Sequence, residues 1–186
     1  MASLSWNAAG PLASGHDTAE GLTTAGFAAL KRMEAKGMAI DVSHLNDRCF
    51  DEVASSTDVP LVASHSNSRA VCGAPRNLTD AQFDCIRERG GLVGLNFCCG
   101  FLCESGEPTF DDISRHIDRW LERDGEDAIA LGSDFDGCDT PRCIASAANM
   151  PAFQNLLRAR FGETITAKLC GLNALRFFSR RIPATL

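Results

Sequence analysis

Three ionisable residues stand where apolar segments of this sequence end. His44 follows the segment MAIDVS, His65 follows PLVAS, and Asp134 follows AIALGS. A single histidine in such a place usually has a structural hydrogen bond, but two on neighbouring strands can share a metal ion, and imidazole nitrogen suits zinc. A carboxylate in the same crevice can bind the metal or accept a proton from metal-bound water. These residues are therefore candidates for zinc chemistry, although Asp134 could instead cap a loop, because Asp136 and Gly137 follow it.

The candidates require a sheet that brings the ends of its strands together. Short apolar segments predict strands at residues 2–6, 38–44, 60–65, 92–97 and 128–134. The predicted helices begin after Thr23 or Thr24, Asn46, Thr79 and Thr109, and a further helical segment runs from Pro151 to about Arg180 with breaks at Gly162 and Gly171. This alternation is typical of an α/β fold with a parallel sheet and flanking helices, in which catalytic groups gather where the strands end.

Size and charge limit the kinds of protein this chain can be. Its 186 residues, 45% hydrophobic and 23% charged, are typical of a globular protein, and we predict a single domain over residues 1–186. A net charge of −6 with dispersed Lys and Arg argues against a nucleic-acid partner. No apolar run approaches the ~20 residues of a membrane span and no signal peptide is recognisable, so we expect a cytoplasmic protein.

The nine cysteines are an odd number, which excludes complete internal disulfide pairing and favours free thiols in a reducing compartment. Cys99 with Cys103 and Cys138 with Cys143 come nearest to zinc-finger spacing. A structural zinc site at these residues is the alternative to cysteines that only pack in the interior.

Six short motifs occur in order and together resemble the membrane (renal-type) dipeptidase family. They are GLT at residues 21–23, DVSH at 41–44, SHSN at 64–67, RNLTD at 76–80, GG at 90–91 and GSDFDG at 132–137. The similarity continues through GLNALR at residues 171–176, so it covers nearly the whole chain. Each motif alone is common, whereas six at compatible spacing are specific.

The resemblance implies a fold, a reaction and a role for each candidate residue. The family folds as an eight-stranded TIM-type β/α barrel and hydrolyses dipeptides, including some with a C-terminal D-residue, with two zinc ions at the C-terminal face of the barrel. His44 and His65 match the two histidines that bind the second zinc. Asp134 matches the aspartate that contacts the substrate and handles the proton of the zinc-activated water. Arg76 matches the arginine that binds the substrate's terminal carboxylate.

The match has gaps on its N-terminal side. By strand count the chain corresponds to a partial barrel of about the fourth to eighth strands, and the family's H-x-D pair and bridging glutamate for the first zinc have no counterpart. His16 and Asp17 are adjacent rather than spaced by one residue, and Trp6 stands where the family often has a histidine that stabilises the tetrahedral intermediate. The chain thus carries ligands for only one of two zinc ions. A partial barrel would expose strand edges and an apolar interior, so self-association or a completing chain is expected.

Three functions are compatible with these residues. The first is a zinc dipeptidase that hydrolyses dipeptides by metal-activated water and is incomplete in this chain. The second is a non-catalytic half-barrel remnant or subunit, which the missing ligands favour. The third is an amidohydrolase acting on a non-peptide amide, which shares the barrel and the histidines at strand ends. The carboxylate-binding role that the resemblance implies for Arg76 favours a dipeptide substrate instead.

Overall fold

Five short parallel strands form the central sheet of the protein, whose computed structural model describes residues 1–180. The strands are β1 (Ala2–Ser3), β2 (Ile40–Asp41), β3 (Leu61–Ala63), β4 (Leu92–Asn96) and β5 (Ile129–Ser133). Each pairs in parallel with the next along the chain, in the order β1-β2-β3-β4-β5. The predicted α/β fold is confirmed, since successive parallel strands joined by helices are the arrangement of a partial (β/α) barrel.

The strands are shorter than the sequence predicts, and β2 shows the reason. The segment expected to extend over residues 38–44 leaves the sheet after Asp41. The Asp41 carboxylate accepts a hydrogen bond from the Ser43 amide at 3.1 Å, and the Leu45 amide donates to the Val42 carbonyl at 3.1 Å. These local bonds turn the chain and replace pairing with the neighbouring strands.

Helices follow the strands, and α1, α2, α3 and α5 begin at capping residues. The helices of the described residues are α1 (Thr24–Ala35), α2 (Asp47–Ser56), α3 (Asp80–Glu88), α4 (Cys99–Leu102), α5 (Phe110–Leu121), α6 (Met150–Ala167) and α7 (Asn173–Ser179). Thr23, rather than Thr24, caps α1, and its hydroxyl accepts from the Gly26 amide. Asn46 caps α2, and Thr79 forms a capping box with Gln82 at α3.

The C-terminal helical segment is interrupted at both predicted glycines. Gly162 lies within α6 with a φ of 78°, a left-handed conformation that glycine adopts without steric cost. Gly171 lies in a π-helical turn, Lys168–Leu172, that joins α6 to α7. The segment is therefore divided into separate helical pieces.

Helices cover one face of the sheet, and α7 covers part of the other. Side chains alternate along a strand, so Leu61 and Ala63 of β3 point to one face and Val62 to the other. Leu61 and Ala63 belong to the large core under the helices, while Val62 belongs to a smaller cluster with Phe177 of α7. At this cluster the apolar interior that was expected to be exposed is buried, because Phe177 of α7 packs against it and Val62 is only 1% exposed.

Two glycines allow the ends of β3, β4 and β5 to approach closely. A Cβ atom at Gly94 would lie 2.0 Å from the Ser64 carbonyl oxygen, and one at Gly132 would lie 2.1 Å from the same atom. No side chain fits in this space. The close approach brings the residues that follow the three strands into one crevice.

The edges of the sheet within residues 1–180 are β1 and β5. At β5 the Asn173 side-chain amide donates to the Ile129 carbonyl at 2.8 Å and to the Glu126 carbonyl at 2.9 Å, which ties α7 to the strand. No helix among the described residues is long and apolar enough to cross a bilayer.

Candidate active site

The two predicted histidines meet at the ends of β2 and β3. The Nε2 atoms of His44 and His65 lie 3.0 Å apart, and their ring centroids are separated by 4.9 Å. Neighbouring parallel strands deliver both rings to the same side of the sheet. The structure therefore brings these residues together as expected, and their role as metal ligands stays a prediction.

Hydrogen bonds at the other ring nitrogens assign the tautomers. His44 Nδ1 lies 3.0 Å from the Asn7 side-chain oxygen, an acceptor, so His44 carries its proton on Nδ1. His65 Nδ1 lies 2.6 Å from the Ser64 hydroxyl, which donates its own proton to Asp41 at 2.6 Å and so accepts from His65. Both Nε2 atoms then present lone pairs to each other. A cation between them would relieve this opposition, and a hydrogen bond at Nδ1 is the usual support of a metal-binding histidine.

The surroundings keep both rings neutral. Burial, followed by the positive charge of Arg76, lowers the pKa of His44 to about 3. The same two causes, in the same order, lower the pKa of His65, while Asp134 and Asp41 oppose the shift. A neutral imidazole is the form that binds a metal ion.

Arg76 lies beside the histidines with part of its guanidinium unsatisfied. The residue is 4% exposed, and its Nη1 donates to the Ser66 hydroxyl at 2.8 Å. Nη2 is buried and has no hydrogen-bond partner. Burial lowers the pKa of Arg76 to about 10, although Asp41 and Asp134 oppose the shift, so the side chain stays charged at neutral pH. A buried guanidinium nitrogen without a partner is costly, and an anionic ligand would satisfy it.

Asp134 follows β5 in a strained turn. Its φ is 67°, and Ser133 and Asp136 also have positive φ values, of 40° and 66°. Such conformations cost free energy in residues other than glycine and are often found at functional sites. Gly137 allows the turn, because a Cβ atom there would lie 2.4 Å from the Asp134 carboxylate.

Two supporting residues were not singled out as site residues by the sequence. Asn96, the last residue of β4, donates through its amide to the Asp134 carboxylate at 3.2 Å and to the His65 carbonyl at 3.3 Å. Asp41 accepts bonds from the amide and hydroxyl of Ser64, which in turn contacts His65. Both residues end a strand, so their position was a usable signal, but only the fold reveals their partners.

Two other residues surround His44 without completing a metal site. The His16 ring lies 6.4 Å from the His44 ring between centroids, and its Nε2 pairs with Asp17 at 3.3 Å. Trp6 is 72% exposed, with its ring also 6.4 Å from that of His44. Among residues 1–180 no group of three or more His, Cys, Asp and Glu side chains could hold a metal ion. The donor set therefore fits two positions of a zinc shell and leaves the others unfilled.

A cavity of about 1020 Å³ adjoins this crevice between the loops after β4 and β5. Its lining includes Glu107, Thr109, Asp139 and Arg142, together with Cys98, which lies two residues after Asn96. The four predicted site residues do not line it. The cavity thus offers space beside the site rather than at the histidines.

Comparison with known proteins identifies relatives along nearly the whole chain. A model of the membrane dipeptidase family (peptidase family M19) matches residues 1–182. A Klebsiella pneumoniae protein described as an uncharacterized protein in the pqqA 5′ region is 43% identical over 184 residues, covering 92% of this chain and 68% of that protein.

Two solved structures share the fold. A metallo peptidase from Rhodobacter sphaeroides, crystallised with a phosphinate mimic of the dipeptide L-Ala-D-Ala, is 39% identical, with a TM-score of 0.92 over 97% of this chain and 55% of that one. A metallo peptidase described as a dipeptidase of family M19 is 43% identical, with a TM-score of 0.84 over 90% of this chain and 50% of that one. The chain thus spans about half the length of these two structures.

Proposed function

The chain belongs to the membrane dipeptidase family, and on that basis we propose that it forms the C-terminal part of a zinc-dependent dipeptidase site. The observation that carries the proposal is the facing pair of His44 and His65, whose Nε2 atoms lie 3.0 Å apart. Beside them lies the charged Arg76, whose Nη2 has no hydrogen-bond partner. A metal ion would bind between the two histidines, and the terminal carboxylate of a bound peptide would satisfy the arginine.

Each residue has a distinct role in this proposal. His44 and His65 hold the metal through Nε2. When bound, zinc supplies Lewis-acid activation of water and of a carbonyl group. Arg76 binds the terminal carboxylate of the dipeptide through Nη2 and so places the peptide bond over the crevice. Asp134 accepts the proton of the attacking water on its carboxylate, which Asn96 orients from one side.

Incompleteness of the site is part of the same proposal. Two nitrogen donors bind zinc weakly, because stable protein sites have three or four ligands. The 186-residue chain by itself is therefore expected to hydrolyse dipeptides at a negligible rate. Arg76 could still bind a carboxylate, but binding of the ground state alone does not lower the barrier.

A chimera tests the proposal. The N-terminal part of the Rhodobacter sphaeroides metallo peptidase, joined ahead of this chain, should restore zinc binding and hydrolysis of L-Ala-D-Ala, and His65→Ala should remove both. A chimera that folds and binds zinc but cleaves no dipeptide would contradict the proposed activity. Turnover by the 186-residue chain alone, abolished by His65→Ala, would contradict the incompleteness and reveal ligands among its own residues.

A second candidate function is a non-catalytic subunit, which the two-donor site favours. The same chimera separates the two candidates, since a remnant that has lost function would restore neither zinc binding nor turnover. We further propose a cytoplasmic location, supported by the odd number of cysteines and by free thiols at all nine.

A further inference from the structure

The loop between β3 and α3 contains a second arginine, which bonds the backbone on both sides of Arg76. Arg69 donates from Nε to the Asn77 carbonyl at 2.8 Å and from Nη2 to the Pro75 carbonyl at 2.8 Å. Pro75 and Asn77 are the residues immediately before and after Arg76. One guanidinium therefore holds the backbone from which the proposed carboxylate-binding side chain extends.

The same guanidinium is bonded to the start of α2. Its Nη1 and Nη2 atoms donate to the two carboxylate oxygens of Asp47 at 2.7 Å and 2.8 Å, a bidentate pair. The hydrogen bonds from Arg69 are the main cause that lowers the pKa of Asp47, so this carboxylate stays ionised at neutral pH. Asp47 is the first residue of α2 and lies three residues after His44. Arg69 thus connects the Arg76 loop to the segment that contains a proposed metal ligand.

Arg76 has few contacts of its own that fix its direction. Its Nη1 donates to the Ser66 hydroxyl at 2.8 Å, and its guanidinium carbon lies 5.9 Å from the centre of the Phe101 ring. Its Nη2 is buried without a partner. The direction of this free nitrogen therefore depends strongly on where the loop backbone is held.

We propose that Arg69 is a positioning residue for substrate recognition, which holds Arg76 so that its Nη2 atom points at the terminal carboxylate of a bound dipeptide. This role rests on the proposed function, in which Arg76 binds that carboxylate. A group that is held in its binding geometry before the ligand arrives improves affinity. Loss of Arg69 should therefore raise KM and change kcat little. Lysine has one nitrogen and cannot form the four bonds of Arg69, so Arg69→Lys should not restore binding.

Hydrogen exchange tests the hold on the loop in the 186-residue chain without any substrate. The backbone amides of residues 77–78 are hydrogen-bonded within the loop region. In Arg69→Gln they should exchange at least about 10-fold faster than in the wild type. The matched control is Arg89→Gln, because Arg89 also donates to two carbonyls, at the C-terminal end of α2. Exchange at residues 77–78 should be the same in this control as in the wild type.

Calorimetric titration of the chimera tests recognition. Arg69→Gln should bind L-Ala-D-Ala about 10-fold more weakly, the lower end of the effect of losing a charged hydrogen bond, and should bind the corresponding dipeptide amide like the wild type. Arg69→Lys should behave as Arg69→Gln does. In a protein that already carries Arg76→Gln, the Arg69→Gln substitution should cause no further loss, because both act on the same bond.

Three results would overturn the positioning role. They are unchanged exchange at residues 77–78 in Arg69→Gln, an equal loss of affinity for the dipeptide and its amide, and losses that add fully in the double variant. The last two would mean that Arg69 only stabilises the fold. A chimera that binds L-Ala-D-Ala but does not cleave it would contradict the proposed activity, while exchange and affinity would still decide the role of Arg69.

Discussion

Individual side chains in the crevice are held by partners that leave one reactive atom free. His44 and His65 each use Nδ1 for a structural hydrogen bond and leave Nε2 for the crevice. Arg76 uses Nη1 and leaves Nη2. Because one nitrogen of each side chain is held by a hydrogen bond, the direction of the other nitrogen is fixed before a ligand binds.

Removal of the Arg76 charge is expected to weaken dipeptide binding. Arg76→Gln loses a charged hydrogen bond to the carboxylate, worth roughly 1.5–3 kcal/mol, which corresponds to an affinity about 10- to 100-fold lower in calorimetric titration of the active chimera. The corresponding dipeptide amide, which lacks the carboxylate, should bind both proteins alike. Arg48→Gln, at an exposed residue of α2, is the matched control. Equal affinity of Arg76→Gln and wild type would show that the carboxylate binds elsewhere.

His116 is expected to make the stability of the fold depend on pH. It is fully buried in α5, accepts the Ser68 amide at 3.1 Å and lies 3.0 Å from the Leu102 carbonyl. Burial lowers its pKa to about 4. The unfolded chain, with a histidine pKa near 6.5, then binds more protons between pH 6.5 and pH 4. The contribution to stability, roughly 3 kcal/mol, is complete above pH 6.5 and is lost as the pH falls toward 4.

Urea unfolding at pH 7 and pH 5 measures this effect. His116→Gln removes the titrating group, so the free energy of unfolding should fall less on acidification than in the wild type. The other histidines remain in both proteins, and the difference between the two pH dependences therefore belongs to His116. Parallel pH dependences would rule out a neutral, buried His116 as the cause.

At the scale of elements, the site depends on where short strands end and how closely they pack. β2, β4 and β5 end in residues whose side chains accept a hydrogen bond from the amide two residues later, namely Asp41, Asn96 and Ser133. Glycines without side chains then let β4 and β5 approach the end of β3. Local turn chemistry and close packing together place the ends of three strands around one crevice.

A methyl group at Gly94 is expected to disturb this packing. The Cβ atom of Gly94→Ala would collide with the Ser64 carbonyl, and overpacking of this kind costs about 1–3 kcal/mol. Because Ser64 precedes His65, the chimera should also bind zinc more weakly. Chemical denaturation and zinc titration measure the two effects. The matched control is Gly100→Ala, where no atom lies within 4 Å of the added Cβ. If both substitutions leave stability unchanged, the strands are less closely constrained than proposed.

At the scale of the whole molecule, the sheet of the described residues is an open one. α7 covers part of its second face through Phe177, but β1 and β5 each have only one neighbouring strand. Unpaired strand edges are templates for pairing with another chain. The coverage by α7 reduces the apolar surface that a partner would need to bury. The unpaired edges of β1 and β5 are therefore the main reason to expect that the chain associates.

The 186-residue chain is therefore expected to self-associate. Light scattering after size exclusion should give a mass above the 19.9 kDa of one chain, increasing with protein concentration. The Ala2 amide already bonds β2, so the Ser3 amide, on the other side of the strand, faces the open edge. Ser3→Pro removes that outer donor and should reduce association through β1. A sharp 19.9 kDa species at all concentrations would contradict the expectation.

The sequence by itself determined the class of fold, the order of the main elements and the four candidate residues His44, His65, Arg76 and Asp134, but it did not single out Asn96 and Asp41. Strand and helix patterns with capping residues such as Thr79 are local, so they can be read without knowledge of distant contacts. Strand ends were less accurate, because the turn after Asp41 depends on side-chain hydrogen bonds that compete with pairing. Only the tertiary structure decided that His44 and His65 face each other through Nε2, that Arg76 keeps one nitrogen unsatisfied, and that α7 covers part of the interior face. Each of these results from contacts between residues far apart in sequence, whose distances and orientations no local pattern encodes.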